Sequence, residues 1–428
     1  MNISAETIAN FNQSSLINHQ RQFEFLANQL EQKGIGVETV VERLRQFQVT
    51  VPSWALGTGG TRFGRFAIGG EPRNLSEKIE DVGLLHRFTG NNEAISLHIP
   101  WDQTNDYLAI QQLAQQRNIR FDAINSNTFQ DQPRQKHSYK FGSLSHTQAE
   151  VRQQAIDHHL EVIKIGKELG SKALTLWLGD GSNFPGQVNF RKALERTEAS
   201  MQEIYAQLPS DWQLLIEYKP FEPAFYSMII PDWGTALMLC QSLGEQANVL
   251  VDLGHHLPNT NIEQIVARLL GVNRLGGFHF NDSHYADDDL TTGAIKPYRL
   301  FLIFCELVNG VTQAADLSNG QLAWMIDASH NTKDPLEDLL QATEGILIAY
   351  AQALLVDQSA LEAAQENNEV TLAQEILQTA FRTDVRPLLA EARYRNGAGL
   401  YPLQLFRDLD IRQTLIQARG SASRATGL

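Results

Sequence analysis

Cysteine is almost missing from this chain. Cys240 and Cys305 are the only two in 428 residues, and both fall in stretches with helical spacing. That excludes a disulfide framework and a thiolate-based zinc site. No apolar run reaches the ~18 residues that a membrane-spanning helix needs. The N-terminal MNISAETIANFNQ has neither the basic start nor the apolar core of a secretion signal, so the expectation is a cytoplasmic protein without a membrane partner. Positive charge is in deficit: 35 Lys and Arg stand against 49 Asp and Glu, a formal net charge of −14. Nucleic-acid binders need the opposite balance to neutralise phosphates. No GxGxxG turn follows the first apolar run, which weakens an open dinucleotide-binding sheet. The glycine-rich Gly57–Phe63 stretch lacks the GKS or GKT ending of a P-loop and reads as a mobile lid.

What is present is a large core (43% hydrophobic, 20% charged) arranged in a repeating order. Residues 1–48 have helical periodicity, with Leu16, Phe23, Leu26 and Leu30 on one face and Gly34 and Gly36 as stops. Apolar, strand-like runs then alternate with helical patterns: Val51–Leu56, Ala94–Ile99, Ile119–Asn125, Lys172–Leu178, Gln213–Tyr218, Val249–Leu253, Gly276–Phe280 and Leu322–Ile326. Eight such repeats favour an α/β fold closed as a (β/α)8 TIM barrel over an open doubly wound sheet. Thr147 and Glu150 are spaced as a capping box, and Gly170 closes the helix that follows. Asp334, Pro335 and Glu337 mark another helix start. The expected division is an N-terminal helical segment (1–48), a catalytic barrel (49–335) and a C-terminal helical extension with a polar tail (336–428). An arm of this kind often packs on a neighbouring subunit, which favours an oligomer.

One stretch, Val249–Asp289, concentrates the chemistry. It carries Asp252, His255, His256, His279, Asp282, His284, Asp287, Asp288 and Asp289. A lone acidic residue at a strand end is more often a helix cap, and a lone histidine more often a hydrogen-bonded core residue. Coincidence changes the odds, because four successive strands end in Glu217, Asp252, His279 and Asp327. Carboxylates and imidazoles without thiolates suit a divalent ion such as Mn2+, Mg2+, Co2+ or Zn2+. Two sites are expected: Glu217, Asp252, His279 and Asp327 for one, and His255, Asp287 and Asp289 for the other, with Asp252 shared. Gly254 permits the bend between Asp252 and His255. Lys219, in register with Glu217, is either an ion-pair partner or a group that stabilises a developing oxyanion. Two adjacent cations clamp vicinal oxygens, which an open-chain sugar offers. Trp54, His98, Trp101 and Trp177 lie at other strand ends and supply rings for a neutral polyol, with Asn125 and Asn127 as hydrogen-bonding candidates.

These residues sit in motifs that form a specific set: WALGTGGTRFGRF, SLHIPWD, FDAINSNTF, HSYKFGSLSHT, LWLGDGSNFPGQ, VDLGHHLPNTNIE, GGFHFNDSHYADDDL and MIDASHN. Together they resemble bacterial L-rhamnose isomerases of the broad-specificity branch, from about residue 20 to 415. The resemblance implies a metal-dependent barrel similar to xylose isomerase, usually a homotetramer, that interconverts aldose and ketose. L-rhamnose is the implied substrate, with D-allose and D-allulose also associated with the branch. It implies a structural metal on Glu217, Asp252, His279 and Asp327, and a catalytic metal on His255, Asp287 and Asp289, with Mn2+ first among the ions. Trp54, His98, Trp177, Lys219 and Asp327 are the candidate substrate contacts, and Phe63 matches a phenylalanine that the family inserts into a neighbouring subunit's site.

The mechanism expected is hydrogen transfer between C1 and C2. Asp287, Asp289, Lys219 and His98 are the catalytic candidates, the two aspartates positioning the water that moves a proton between O1 and O2. Residue types leave hydride shift and enediol open. A metal-dependent phosphodiesterase would want basic residues around the site, and a pure sugar binder would not need two acidic metal sites. A 3-epimerase would place two glutamates across the substrate, whereas one strand-end glutamate is found.

Overall fold

The computed structural model describes residues 3–57, 66–310, 322–328 and 332–422. Twelve short strands occur among them. In chain order they are β1 (Val51–Pro52), β2 (Ala94–Ser96), β3 (His98–Ile99), β4 (Arg120–Phe121), β5 (Ile124–Ser126), β6 (Ala173–Leu176), β7 (Gly181–Ser182), β8 (Gln213–Glu217), β9 (Ser227–Met228), β10 (Ala247–Asp252), β11 (Leu275–Phe280) and β12 (Ala323–Ile326). Seven form one sheet in the order β12-β11-β10-β8-β6-β5-β3, and β2 runs between β1 and β4 in another. All these pairs are parallel. Only Leu97 separates β2 from β3, and Asp122 and Ala123 separate β4 from β5, so each pair is one interrupted strand.

Closure comes from the first strand. Thr50 bridges Met325 in parallel; its N–H donates to the Trp324 carbonyl at 2.7 Å, and its own carbonyl accepts from Ile326 N–H at 3.0 Å. The sheet is therefore a barrel of eight strand positions, as the alternation of apolar runs predicts. The first run is shorter than expected. After Pro52, which offers no N–H to the ladder, the chain turns into a 3-10 helix over Ser53–Leu56, which carries Trp54 off the strand.

A helix follows each strand position: α3 (Leu75–Thr89), α4 (Tyr107–Gln116), α5 (Ala149–Leu169), α6 (Phe190–Tyr205), α7 (Trp233–Leu243), α8 (Ile262–Gly271), α9 (Pro297–Gly310) and α10 (Pro335–Leu354). By its packing on α9 and β12, α10 serves as the eighth ring helix, inside the stretch that the sequence reading assigned to the extension. It starts as expected, with the Asp334 side chain accepting from the Leu336 and Glu337 N–H groups. Helix α5 does not: Gln148, not Thr147, is its cap, and no side chain bonds there, so the capping box is not formed, although Gly170 ends the helix in the left-handed conformation. Two helices precede the barrel, α1 (Ala5–Glu31) and α2 (Val37–Gln46), and five short ones follow it between Gln358 and Arg419. The two sets brace each other. Asn12 bonds Ala398 O and Leu400 N, and His19 bonds Glu391. Cys240 and Cys305 are buried and unbonded to each other. No single helix among the described residues is long and apolar enough to cross a membrane.

Strand β11 shows how alternation delivers chemistry. Phe278 and Phe280 point outward and stack with Trp324 and, for Phe280, with Phe304 of α9. His279 between them therefore faces the barrel interior. The strand also passes its neighbour closely: Gly277 has φ +139°, and a Cβ there would lie 2.3 Å from the Ala323 carbonyl oxygen. Gly277→Ala is expected to cost about 3 kcal/mol, combining backbone strain and overpacking. Gly170→Ala, at φ +91° with open space around it, should cost about 1–2 kcal/mol, from strain alone. Urea midpoints of the two variants check the difference, and equal losses would remove the steric argument.

Candidate functional site

Side chains from all eight strand positions or the loops that follow them meet in a cavity of about 270 Å³ at the C-terminal end of the barrel, the end where this fold concentrates reactive groups. One wall is acidic. Glu217 ends β8, Asp252 ends β10, His279 lies in β11 and Asp327 follows β12. His279 Nδ1 stands 3.2 Å from Glu217 Oε1, 3.4 Å from Asp327 Oδ2 and 3.9 Å from Asp252 Oδ2. His255 Nδ1 is 3.2 Å from Glu217 Oε1 and 4.0 Å from Asp252 Oδ1, while its Nε2 is 3.5 Å from Asp287 Oδ1. Two groups emerge in which each residue offers a ligand atom within 4.8 Å of the others: Glu217, Asp252, His279 and Asp327, and Asp252, His255 and Asp287. Asp252 belongs to both. Asp289 is at the cavity beside Asp287, with a left-handed φ of 47°.

Backbone and side-chain donors hold this wall in place. The Asp252 carboxylate accepts from Gly254 N at 2.7 Å, His255 N at 3.1 Å and Asn281 Nδ2 at 3.0 Å. Gly254 is needed for space: a Cβ there would lie 3.0 Å from Asn281 Oδ1, 3.1 Å from Asp287 Oδ1 and 3.3 Å from Asp252 Oδ1. Behind the wall, Tyr218 and His256 share a buried 2.7 Å hydrogen bond.

The charges are unevenly balanced. Burial first, then Glu217, Asp327 and Asp287, push the Asp252 carboxyl up to about 7 against the pull of His255. Burial, then Asp287 and Asp327, raise Asp289 well above the carboxylate range. Burial would lower His279, yet Glu217 and Asp327 lift it to about 10; Asp252 and Asp287 likewise raise His255. Protons thus gather on Asp252, Asp289 and the two imidazoles, and those imidazoles, against burial, hold Glu217 and Asp287 below the usual carboxylate range. A divalent cation would supply that positive charge and displace those protons, so this oxygen and imidazole donor set fits a hard or borderline ion.

The opposite wall is aromatic. His98 and Trp101 stack at 4.0 Å between ring centroids, Trp54 meets His98 edge-on at 5.4 Å, and Phe129 meets Trp177 at 4.8 Å. Burial, against Asp102, lowers His98 to about 3, so its imidazole is neutral at pH 7. Trp54 Nε1 donates to Asp327 Oδ1 at 3.0 Å and joins the two walls. Lys219 lies between them: its ammonium bonds Asp287 Oδ2 at 2.6 Å, pairs with Glu222 and sits 5.3 Å from the Trp177 ring centroid. Burial would lower it, but Asp287 and Glu222 raise it.

Of the expected site residues, Trp54, His98, Trp177, Glu217, Lys219, His255, His279, Asp287, Asp289 and Asp327 line the cavity, and Asp252 lies beneath it. Phe63 lies outside the described residues. Asn125 reaches the cavity, but Asn127 lines a neighbouring hollow behind Trp101. The acidic stretch divides: Asp282 accepts from Ile295 and Lys296 N–H, and Asp288 from its own loop at His284 and Tyr285. Ser126, Phe129, Thr175 and Glu222 were missed. Thr175, in register with Asn125 and so on the face of His98, was legible as an inward position of β6; Ser126, at the alternate position of β5, and Glu222, in a loop beyond β8, carried no periodic signal.

A model of the xylose isomerase-like TIM barrel matches residues 86–301. A probable sugar isomerase of Rhizobium meliloti is 52% identical over 95% of this chain and 94% of its own length. The chain belongs to the xylose isomerase-like TIM barrel family. More distantly, it is 23% identical to an L-rhamnose isomerase of Rhodopirellula baltica over 76% of this chain and 83% of that protein. An L-ribulose 3-epimerase structure shares the fold, with a TM-score of 0.52 and 13% identity over 76% of this chain and 98% of that one. For this member of the family, Mn2+ added to chelator-stripped protein should raise the Tm; at a hundredfold excess over Kd the linkage gain is about 2.7 kcal/mol. Glu217→Gln and Asp252→Asn should each shrink the rise, and an undiminished rise in both would place the metal elsewhere.

Proposed function

We propose that this chain is a metal-dependent aldose–ketose isomerase of a neutral sugar, with L-rhamnose and L-rhamnulose as the expected pair and D-allose and D-allulose as further substrates. The observation that carries the reading is the pairing of two carboxylate–imidazole groups, joined at Asp252, with a facing wall of His98, Trp101, Trp54 and Trp177. The relative's description as a probable sugar isomerase supports the class. The motifs and the distant L-rhamnose isomerase support the choice of sugar. Two divalent ions, Mn2+ first, with Co2+, Mg2+ or Zn2+ as alternatives, would supply Lewis-acid stabilisation to two vicinal sugar oxygens.

The protein's own groups do the rest. His98, neutral, offers the sugar a hydrogen bond, and the Trp54 and Trp177 rings cover its apolar faces. Lys219, held charged by Asp287 and Glu222, stabilises negative charge developing on an oxygen. Asp287 and Asp289 position the water that moves a proton between O1 and O2, while hydrogen passes between C1 and C2. By the same resemblance the working unit is a cytoplasmic homotetramer.

A second reading keeps a specific observation. Glu222 lines the cavity together with Glu217, so the site holds two glutamates, the feature a 3-epimerase would need. Its pairing with Lys219 favours the isomerase. The test is to strip the protein, restore Mn2+, Co2+, Mg2+ or Zn2+ singly, and assay L-rhamnose, D-allose and D-allulose. Metal-restored aldose–ketose conversion is the expected result; C3 epimers as sole products would transfer the site to the rival, and no turnover with any metal would refute both. Asp289→Asn should lower kcat roughly hundredfold, the scale of a lost acid–base group, with metal content retained. Deuterium kept from C2 would mark a hydride shift, and its washout an enediol.

A further inference from the structure

A charged pair sits where no solvent reaches. Lys78 of α3 and Asp102 have fully buried side chains, with Nζ 2.7 Å from Oδ1. Neither faces the cavity. Burying two charges is costly unless further hydrogen bonds complete the shell, and here the partners are informative. The other Asp102 oxygen accepts from His98 N–H at 2.8 Å and from the Ser53 hydroxyl. Asp102 N–H returns a 2.9 Å bond to the His98 carbonyl, which ties the His98–Asp102 turn into a closed loop.

Each partner is next to a ring of the sugar-facing wall. Ser53 precedes Trp54 in the 3-10 turn; His98 is itself a wall residue; Trp101 precedes Asp102 and stacks on His98. Trp54 in turn donates to Asp327, so the network runs from α3 through Asp102 to the edge of the acidic group. We propose that Asp102, neutralised by Lys78, is the positioning residue for the Trp54–His98–Trp101 wall. It fixes where the sugar's apolar face lies relative to the acidic wall, and it touches neither substrate nor metal ligand. This rests on the isomerase reading for its kinetic readout, and the near-ultraviolet circular dichroism of the tryptophans supplies one that does not.

The experiment compares wild type, Ser53→Ala, Asp102→Asn and the double variant Lys78→Met with Asp102→Asn, each loaded with Mn2+. Asp102→Asn should raise KM for the sugar that wild type converts at least tenfold, change kcat less than threefold, leave bound Mn2+ unchanged and alter the tryptophan dichroism. The double variant, which removes both charges of the pair and keeps an amide oxygen for His98 N–H, should recover most of the KM. Ser53→Ala, which removes one hydroxyl, should raise KM a fewfold with Tm nearly unchanged. If Asp102→Asn lowers Tm while KM and dichroism stay at wild-type values, the residue is structural only and the proposal fails. Should wild type convert no sugar, the isomerase reading falls, and the dichroism alone decides: a changed spectrum in Asp102→Asn upholds the ring-holding role, and an unchanged one ends it.

Discussion

The site depends on one electrostatic constraint: carboxylates brought together in the barrel mouth with too few opposite charges. Asp252 is the extreme case. It is wholly buried, surrounded by Glu217, Asp287 and Asp327, and tolerated because three N–H donors converge on it. Such an arrangement is stable as a trap for positive charge and poor as a structural ion-pair network, where like charges would be interleaved with lysine or arginine. Among the described residues the one lysine at the cavity, Lys219, is claimed by Asp287 and Glu222, leaving the Asp252 side of the cluster to its histidines.

The barrel makes that constraint affordable by separating duties. Successive strands β8, β10, β11 and β12 contribute the acidic wall, while the positions around β1, β3 and β6 contribute rings. Outward residues of the same strands do the packing: Phe278, Phe280 and Trp324 stack flat against one another, which holds the strand carrying His279 in register. Because adjacent residues on a strand face opposite sides, the stability of the outer layer and the chemistry of the inner one can be set almost independently.

The strand ends were legible because period-2 alternation and apolar runs are local signals, and a run that finishes in Glu217, Asp252, His279 or Asp327 places that side chain at the barrel mouth whatever surrounds it. Eightfold repetition then led to the closed barrel. What escaped had non-local causes. Pro52 shortened the first strand and released Trp54 into a turn whose position is set by Asp102, a residue distant in sequence. Thr147 matched a capping pattern, yet the cap falls one residue later, on Gln148. Glu222 enters through a loop whose course depends on the β7–β9 pair. Asp282 and Asp288 shared the composition of the ligand stretch but are spent on loop N–H groups, a distinction that only geometry makes.

A cavity with charge on one side and rings on the other imposes direction on a ligand. A neutral polyol can satisfy both walls only if vicinal oxygens meet the acidic side while carbon–hydrogen faces meet the rings. Trp54 sits at the seam, its indole N–H on Asp327 and its ring edge toward His98, so a displacement of either wall is felt by the other. Coupling of this kind explains why a buried pair as remote as Lys78 and Asp102 is worth the desolvation it costs. On the proposed isomerase reading, the wall holds a sugar at a set distance from the acidic groups, since hydrogen transfer between neighbouring carbons gains from orientation only when the reacting atoms are already close.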